Sequence, residues 1–289
     1  MNPLIQSIKN LSAPLEPIPT GTALRLEPLD GIETVLFDIY GTLLISGSGD
    51  VGTAAAIDSA EALTQALIVS GYEGDLERAG ELGPELLQQE IERWHDTAFE
   101  SGTEFPEVEI SRVWKKLIEC FQGLELLKPD DSTEKILRLA VEYECRVNPV
   151  WPMPAALETI EALRVRGFRL GIVSNAQFYT PLIIEALFGK TLKNLGFEKE
   201  LCVFSYKELK AKPSVELFQT LENQTNFSKT LYVGNDMLND IWTATEAGCR
   251  TVLFAGDQRS LRLRENDKRC KKRIPDSIVD HLHQITEMV

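Results

Sequence analysis

The stretch Thr34-Val-Leu-Phe-Asp38-Ile-Tyr40-Gly-Thr42 decides the fold, because an apolar run ends in an acid and a glycine follows soon after. A short apolar run of this kind is typical of a parallel strand that is buried on both faces. Ligands of open parallel sheets bind outside the carboxyl ends of the strands. The segment therefore predicts a buried strand that carries Asp38 at its functional end.

Strand and helix patterns alternate through the second half of the chain. Four more strands are predicted at 169–174, 201–205, 231–234 and 251–254. Helices are predicted at about 155–166, 181–194, 213–222, 238–247 and 276–288. Repeated strand–helix units favour a parallel sheet that is covered on both faces and wound right-handed. We therefore expect an α/β fold with a doubly wound, Rossmann-like parallel sheet.

A long helical stretch interrupts this alternation. Four helical patterns, over 52–70, 84–100, 107–122 and 131–147, follow one another without a strand pattern between them. Pure helix between two strand segments indicates an inserted domain. We predict an irregular N-terminal leader at 1–30, an α/β core at 31–45 and 149–289, and an all-helical cap at 46–148.

The composition describes an acidic chain. Lys and Arg number 30 against 44 Asp and Glu, and the formal net charge is −14 at pH 7. This charge repels nucleic acids and anionic membranes, so we expect neither as a partner. The expected partner is a small-molecule substrate, and an anionic one needs local positive charge or a metal ion.

The N-terminus and the cysteines indicate a cytoplasmic protein. The five cysteines are widely spaced and include no CxxC pair, which favours a reducing compartment. The first 21 residues contain four prolines and no apolar run long enough for a signal peptide. No segment of the sequence is predicted to span a membrane.

Polar groups follow four of the predicted strands. Asp38 ends the first strand, Ser174-Asn175 ends the second, and Lys212-Pro213 opens the helix after the third. The fourth strand ends in Gly234-Asn-Asp236-Met-Leu-Asn-Asp240. Because the carboxyl ends of parallel strands share one edge of the sheet, we expect these groups to converge.

Each of these groups has a chemical role at such an edge. The carboxylate of Asp38 can attack an electrophilic phosphorus or carbon atom and form a covalent ester. Ser174 can donate a hydrogen bond to a phosphoryl oxygen, and Lys212 supplies positive charge. Mg²⁺ prefers hard oxygen ligands. The predicted metal ligands are Asp38, the carbonyl of Tyr40, Asp236 and Asp240.

This ordered set resembles the haloacid dehalogenase superfamily of hydrolases. Asp38-Ile-Tyr-Gly-Thr42 looks like the first motif of that family, and the segments at 174–175, 212–213 and 234–240 look like the other three. The helical insertion lies where the family carries its cap, and the resemblance covers about residues 32–289. The catalytic residues that it implies are Asp38, Tyr40, Thr42, Ser174, Asn175 and Lys212.

Tyr40 departs from the pattern of the family's phosphatases. Those enzymes carry a second aspartate two positions after the nucleophile, which serves as general acid and base. A phenol with a pKa of about 10 is a poor base at neutral pH. An aromatic residue here resembles the L-2-haloacid dehalogenase branch, whose chemistry needs no acid at this position because a halide leaves without a proton. The dehalogenases of that branch also work without a metal.

The carboxylates of the fourth segment favour a phosphatase over a dehalogenase, because Asp236 and Asp240 would repel Asp38 without a cation. We therefore expect Mg²⁺-dependent hydrolysis of a small phosphate ester through an aspartyl-phosphate on Asp38. A metal-independent 2-haloacid dehalogenase and a catalytically weakened binding protein stay open as alternatives. Either Asn235 or Asp236 takes the metal-ligand position.

Three further segments carry predictions. Gly47–Gly52 matches GxGxxG, but no second parallel strand follows, so we interpret it as a hinge into the cap. The irregular cap loop at 102–110 offers Phe105 and Glu107 as substrate contacts. The basic run at 259–273 contains acids as well and predicts a solvated loop.

Overall fold

The computed structural model describes residues 2–48 and 59–289, and it confirms the predicted α/β fold class. The strands are β1 (Thr34–Phe37), β2 (Leu44–Ser46), β3 (Val150–Pro152), β4 (Arg169–Ser174), β5 (Phe197–Phe204), β6 (Thr230–Gly234), β7 (Arg250–Phe254) and β8 (Ser277–Val279). Six of them form one sheet in the order β5-β4-β1-β6-β7-β8, and every neighbouring pair is parallel.

Strand β1 lies at the centre of this sheet, between β4 and β6. Its side chains alternate between two apolar cores: Val35 and Phe37 belong to one, and Leu36 belongs to the other. All three are fully buried. The strand is therefore covered on both faces, as its unbroken apolar run predicts, and Asp38 follows at the carboxyl edge of the sheet.

Twelve α-helices are described in the structure. They are α1 (Pro3–Leu11), α2 (Ser59–Val69), α3 (Leu76–Glu100), α4 (Ile110–Gly123), α5 (Thr133–Val147), α6 (Ala156–Val165), α7 (Thr180–Phe188), α8 (Leu192–Leu195), α9 (Ser205–Glu208), α10 (Glu216–Gln219), α11 (Thr243–Glu246) and α12 (Gln284–Met288). The longest, α3, is rich in charged residues. No helix within the described ranges combines the length and apolar character needed to cross a bilayer.

Helices α2–α5 follow one another between two linkers that lie side by side. Strands β2 and β3 pair antiparallel in these linkers. Beside them, the hydroxyls of Ser46 and Ser48 both donate to Oδ1 of Asn148, at 2.8 Å each. The chain thus leaves and re-enters the core at one place. Residues 49–52 of the predicted hinge lie outside the described part of the chain.

The C-terminal prediction was wrong in its first half. The sequence pattern predicted one helix over 276–288, whereas Ser277–Val279 adds a sixth strand to the sheet and α12 begins only at Gln284. Asp276 explains the difference. Its carboxylate pairs with the guanidinium of Arg250 at 2.7 Å and accepts the amide of Thr251 at 2.8 Å, which fixes this segment against β7.

The leader is also not irregular throughout. Residues Pro3–Leu11 form α1, where the Asn2 side chain accepts the amide of Leu4 and Pro3 occupies the first turn. Proline suits that position because its missing N–H would have no helical partner there. Ile5 and Ile8 are buried, and the helix packs on α5 and α7. The leader therefore contributes to the core.

Replacing Ile8 by alanine tests this packing. Because Ile8 is completely buried, the substitution leaves a cavity, and we expect the free energy of unfolding to fall by about 2–5 kcal/mol. Urea denaturation followed by circular dichroism measures the change. Ile18→Ala is the matched control, since Ile18 is 43% exposed and its loss should cost far less. Equal losses for the two variants would contradict the packing of α1.

Candidate active site

The ammonium group of Lys212 lies at the centre of the carboxyl edge. It donates to Oδ1 of Asp38 at 2.7 Å, to Oδ1 of Asp240 at 2.5 Å and to the hydroxyl of Tyr232 at 3.0 Å. These contacts use all three of its N–H donors. Burial disfavours the charged form, but the charges and hydrogen bonds of Asp240 and Asp38 outweigh it and raise the pKa of Lys212. The lysine is therefore protonated at neutral pH.

Tyr232, inside β6, completes the coordination of this ammonium. Its hydroxyl accepts from Lys212 and donates to the carbonyl of Val173 at 2.7 Å. Burial is the main reason that its pKa lies well above the ordinary value, so the phenol is neutral. Sequence reasoning assigned Tyr232 to a strand and missed this role, because no local pattern marks it.

Asp38 is placed to act as a nucleophile. Its Oδ1 is held by Lys212, and Oδ2 receives no hydrogen bond from the residues that the structure describes. The side chain lines a cavity of about 610 Å³ between the sheet edge and the cap helices. An oriented carboxylate with one oxygen available toward a cavity can attack an electrophile there.

Asp240 acts as a positioning residue for the fourth motif. While Oδ1 contacts Lys212, Oδ2 accepts the backbone amides of Asn235 and Asp236, both at 2.9 Å. The segment Met237–Trp242 forms a turn of π-helix, which accommodates an extra residue between the strand end and the acid. At Gly234 a Cβ atom would lie 2.4 Å from Cγ of Asp240, so only glycine fits.

Asp236 is held by an arginine outside the four motifs. The Nη2 atom of Arg264 lies 2.6 Å from Oδ2, and Nε lies 3.1–3.2 Å from both carboxylate oxygens. Oδ1 also accepts the amides of Leu238 and Asn239 at the start of the π-helix. Asp236 is only 5% exposed, and both its oxygens have partners.

Asn235 stands directly after the glycine and packs against the first motif. Its Oδ1 accepts the hydroxyl of Thr42 at 3.0 Å, and its Nδ2 donates to the carbonyl of Ser260 at 2.7 Å. Gly41 makes this approach possible, because a Cβ there would lie 2.7 Å from Nδ2 of Asn235. A φ of +80° at Gly41 also requires glycine.

The donors predicted for Mg²⁺ do not fit that ion. Asp240 is committed to Lys212 and two amides, Asp236 is paired with Arg264, and Asn235 offers only a neutral amide. Within the described ranges, no group of three or more His, Cys, Asp or Glu could hold a metal. Mg²⁺ in proteins is held by hard oxygens of carboxylates that are available to it. The four predicted ligands therefore do not form an open ligand set.

The second motif contributes Asn175 more directly than Ser174. The side-chain amide of Asn175 makes two hydrogen bonds to the backbone of Lys212. Oδ1 of Asn175 accepts the Lys212 N–H at 2.7 Å, and Nδ2 of Asn175 donates to the Lys212 carbonyl at 3.2 Å. Asn175 also lines the cavity. Ser174 is fully buried and does not line it, so the predicted donation from its hydroxyl to a substrate is not arranged here.

Tyr40 turns its phenol toward the start of α7. The hydroxyl lies 2.9 Å from Oγ1 of Thr180, and the residue lines the cavity. Burial, followed by the nearby charge of Glu144, raises the pKa of Tyr40 well above its ordinary value. At neutral pH this phenol is uncharged and cannot serve as a general base.

The cavity has a polar end at the sheet edge and an apolar end in the cap. Apolar side chains dominate the cap end: Leu87, Ile91, Ile110, Trp114 and Ala140. Gln88 and His95 on α3 are polar side chains at this end. Nε2 of His95 is buried without a hydrogen-bond partner in the described part of the chain. The shape and polarity suit a ligand with one polar and one apolar part.

The cap loop reaches the core through Glu107. Its Oε2 accepts the hydroxyl of Ser205 at 2.7 Å, and its Oε1 lies 3.2 Å from Nε2 of Gln177. Glu107 lines the cavity, whereas Phe105 does not. The backbone carbonyl of Phe105 instead accepts the amide of Ala211, next to Lys212, at 2.8 Å.

Glu144, near the end of the last cap helix, is a partly buried acid that sequence reasoning missed. It lines the cavity and accepts hydrogen bonds from the hydroxyl of Tyr179 at 3.0 Å and from Nδ2 of Asn148 at 3.2 Å. Both partners are neutral. Burial therefore outweighs these hydrogen bonds and raises the pKa of Glu144 above its ordinary value of 4.5.

This raised pKa predicts a change in how stability depends on pH. The folded protein binds the Glu144 proton more tightly than the unfolded chain does, so the proton's contribution is present at low pH. It is lost as the pH rises from 4.5 through the folded pKa. We expect Glu144→Gln to remove a decline of up to about 1.4 kcal/mol per pH unit in that window. Urea denaturation at several pH values measures it.

The control for this prediction is Glu134→Gln. Glu134 lies exposed on the same helix, α5, and should leave the pH profile of the wild type unchanged. Parallel pH profiles of wild type and Glu144→Gln would contradict the assignment of a raised pKa to Glu144.

Comparisons with known proteins agree with this geometry. The family model for haloacid dehalogenase-like hydrolases matches residues 32–248. A curated relative, the ribulose-1,5-bisphosphate 5-phosphatase of Halopiger xanaduensis, is 26% identical over 261 residues, which are 88% of this chain and 98% of that protein.

Solved structures share the fold. A 2-haloacid dehalogenase from Pseudomonas syringae superposes with a TM-score of 0.54 at 23% identity, and a phosphatase of the family from Thermococcus onnurineus with 0.52 at 18%. In both cases the match covers 89% of this chain and 97% of the other. At these identities the likeness extends to the fold alone. The family match and the strand-edge site together lead to one conclusion: this chain belongs to the haloacid dehalogenase-like hydrolases.

Proposed function

We propose that the protein hydrolyses a small phosphate monoester through a covalent aspartyl-phosphate on Asp38. The observation that carries this proposal is the state of that carboxylate: Lys212 fixes one oxygen, and the other has no partner among the described residues beside the cavity. The curated relative is named as a phosphatase, which supports phosphorus as the electrophile.

The reaction has two steps. Oδ2 of Asp38 attacks phosphorus, the bond from phosphorus to the ester oxygen breaks, and the alcohol leaves after taking a proton from water. A water molecule then attacks the phosphorus of the aspartyl-phosphate, which releases inorganic phosphate and restores the carboxylate. Lys212 stabilises the negative charge that builds up around both reacting groups.

Proton transfer is the weak point of this site. The neutral phenol of Tyr40 stands where the family's phosphatases place an aspartate, and it is bonded to Thr180. Losing general acid–base assistance typically costs about 10²–10⁴ in rate. Esters whose alcohols leave as stable anions should therefore be the better substrates.

Dehalogenation of a 2-halo acid is the second candidate. Tyr40 and the unsuitable metal donors favour it, since a halide needs neither proton nor metal to leave. The cap argues against it, because no described cap arginine lines the cavity to hold the substrate carboxylate. The two arginines of α3 do not line the cavity and have other partners: Arg78 pairs with Glu81 and Arg93 with Glu90.

The walls of the cavity favour a substrate with one charged group and an uncharged, apolar body. Lys212 and Arg262 are the cations of the described lining, and both belong to the core. The cap end offers apolar side chains together with Gln88 and His95. A second phosphate there would meet the carboxylates of Glu107 and Glu144 instead of a cation. A bisphosphate therefore suits this cavity less well than an aryl or alkyl phosphate.

Asp38→Asn tests the proposed nucleophile. The amide cannot form the aspartyl-phosphate, so we expect phosphate release from a panel of monoesters to fall by at least about 10³-fold. A malachite-green assay measures phosphate, and the same samples are assayed for chloride after incubation with 2-chloropropionate.

A matched carboxylate serves as the control. Asp276 pairs with Arg250 at the start of β7, away from the site. The Asp276→Asn variant should therefore release phosphate at the rate of the wild type. Chloride release without phosphate release would establish the second candidate. A folded protein that releases neither would point to the binding protein.

The apolar end of the cavity predicts a preference among substrates. 2-Phenylethyl phosphate and ethyl phosphate have similar alkyl leaving groups, and we expect kcat/KM to be at least about tenfold higher for the phenyl compound. Ile91→Ser should remove most of this preference, because Ile91 lines the cap end. The control is Val165→Ser, at a side chain that is 80% exposed. Equal kcat/KM values for the two esters would contradict the preference.

A further inference from the structure

We infer that this protein works without a divalent metal, and that Arg264 supplies the positive charge which a metal would bring to the fourth motif. Only the activity measurements of this inference rest on the proposed function. The binding measurements stand independently of it.

Arg264 occupies the carboxylate that a metal would need. Its guanidinium contacts both oxygens of Asp236, in the planar arrangement that makes arginine–carboxylate pairs strong. Asp236 is 5% exposed, so water screens this pair poorly. A cation entering here would have to displace a bidentate ion pair whose carboxylate is buried.

The backbone holds the arginine segment against the motif. The amide of Arg262 donates to the carbonyl of Asn235 at 3.0 Å, and the amide of Met237 donates to the carbonyl of Arg262 at 2.8 Å. Arg264 itself has a φ of +51°, in the left-handed region that residues with side chains rarely adopt. The segment is thus shaped by its contacts with the motif and is more than a solvated loop, which corrects the prediction for 259–273.

The carboxylates at the sheet edge are paired without a metal. Asp38 and Asp240 both contact the ammonium of Lys212, and Asp236 contacts the guanidinium of Arg264. This arrangement removes the reason for which the sequence predicted Mg²⁺, namely that the carboxylates beside Asp38 would lack a cation.

A metal titration of the full-length protein tests the inference. Mn²⁺ is the probe, because its electron paramagnetic resonance signal weakens on binding, and Mg²⁺ is titrated by calorimetry. We expect no wild-type site with a Kd below about 10 mM, and turnover that EDTA leaves unchanged. The double variant Asn235→Asp/Arg264→Ala frees Asp236 and adds an acid directly after Gly234. It should bind Mn²⁺ with a Kd below about 1 mM.

Arg269→Ala is the matched control, since this nearby arginine pairs with Asp267 and should leave the protein without a metal site. If the double variant does not fold, the single variant Arg264→Gln, which keeps a planar polar group, is titrated instead. Wild-type Mn²⁺ binding that Asp38→Asn abolishes would overturn the inference, and so would a folded Arg264 variant that binds no metal. Absence of turnover with every substrate would refute the proposed function and leave the titration result standing.

Discussion

The buried ammonium of Lys212 is the constraint on which the site depends. A charge removed from water is tolerated only when it is paired and hydrogen-bonded, and here two carboxylates and a phenol from separate segments do this. One oxygen of Asp240 is committed to the lysine, so its other oxygen fixes the amides of the loop at 235–236. That loop in turn places Asp236 for its arginine. Asp38, the fourth motif and the basic segment are thus arranged around the ammonium nitrogen of Lys212.

This site separates two tasks that the family's phosphatases combine. The orientation of Asp38, the proposed nucleophile, is retained, because its contact with Lys212 and the two hydrogen bonds from Asn175 to the Lys212 backbone are in place. Charge neutralisation and proton transfer differ, since Arg264 pairs with Asp236 and a buried phenol stands at residue 40. In the proposed mechanism, selectivity rests on the leaving group and on the apolar body that the cap end accepts.

The sequence predicted the fold and the meeting of Asp38, Lys212 and Asp240, because strand ends of a parallel sheet share an edge. The sequence could not show that the carboxylate of Asp236 would form an ion pair with an arginine. The partner, Arg264, lies 28 residues away in a run whose composition is typical of solvated loops, and only tertiary contacts give that run its shape. Tyr232 and Glu144 were missed for a related reason: one looks like any strand residue and the other like any helix residue until their neighbours are known.

The π-helical turn at Met237–Trp242 makes the geometry of the candidate site depend on the exact number of residues in this segment. Successive residues of a helix are rotated by about 100°, so losing one residue here would restore ordinary α-helix and turn the Asp240 side chain away from the lysine. A deletion of this kind would remove the contact of Asp240 with Lys212 and its hydrogen bonds to the amides at 235–236. Every side chain of the site would still be present in the sequence. The number of residues between Asp236 and Asp240 therefore matters as much for the geometry of the site as the two carboxylates do.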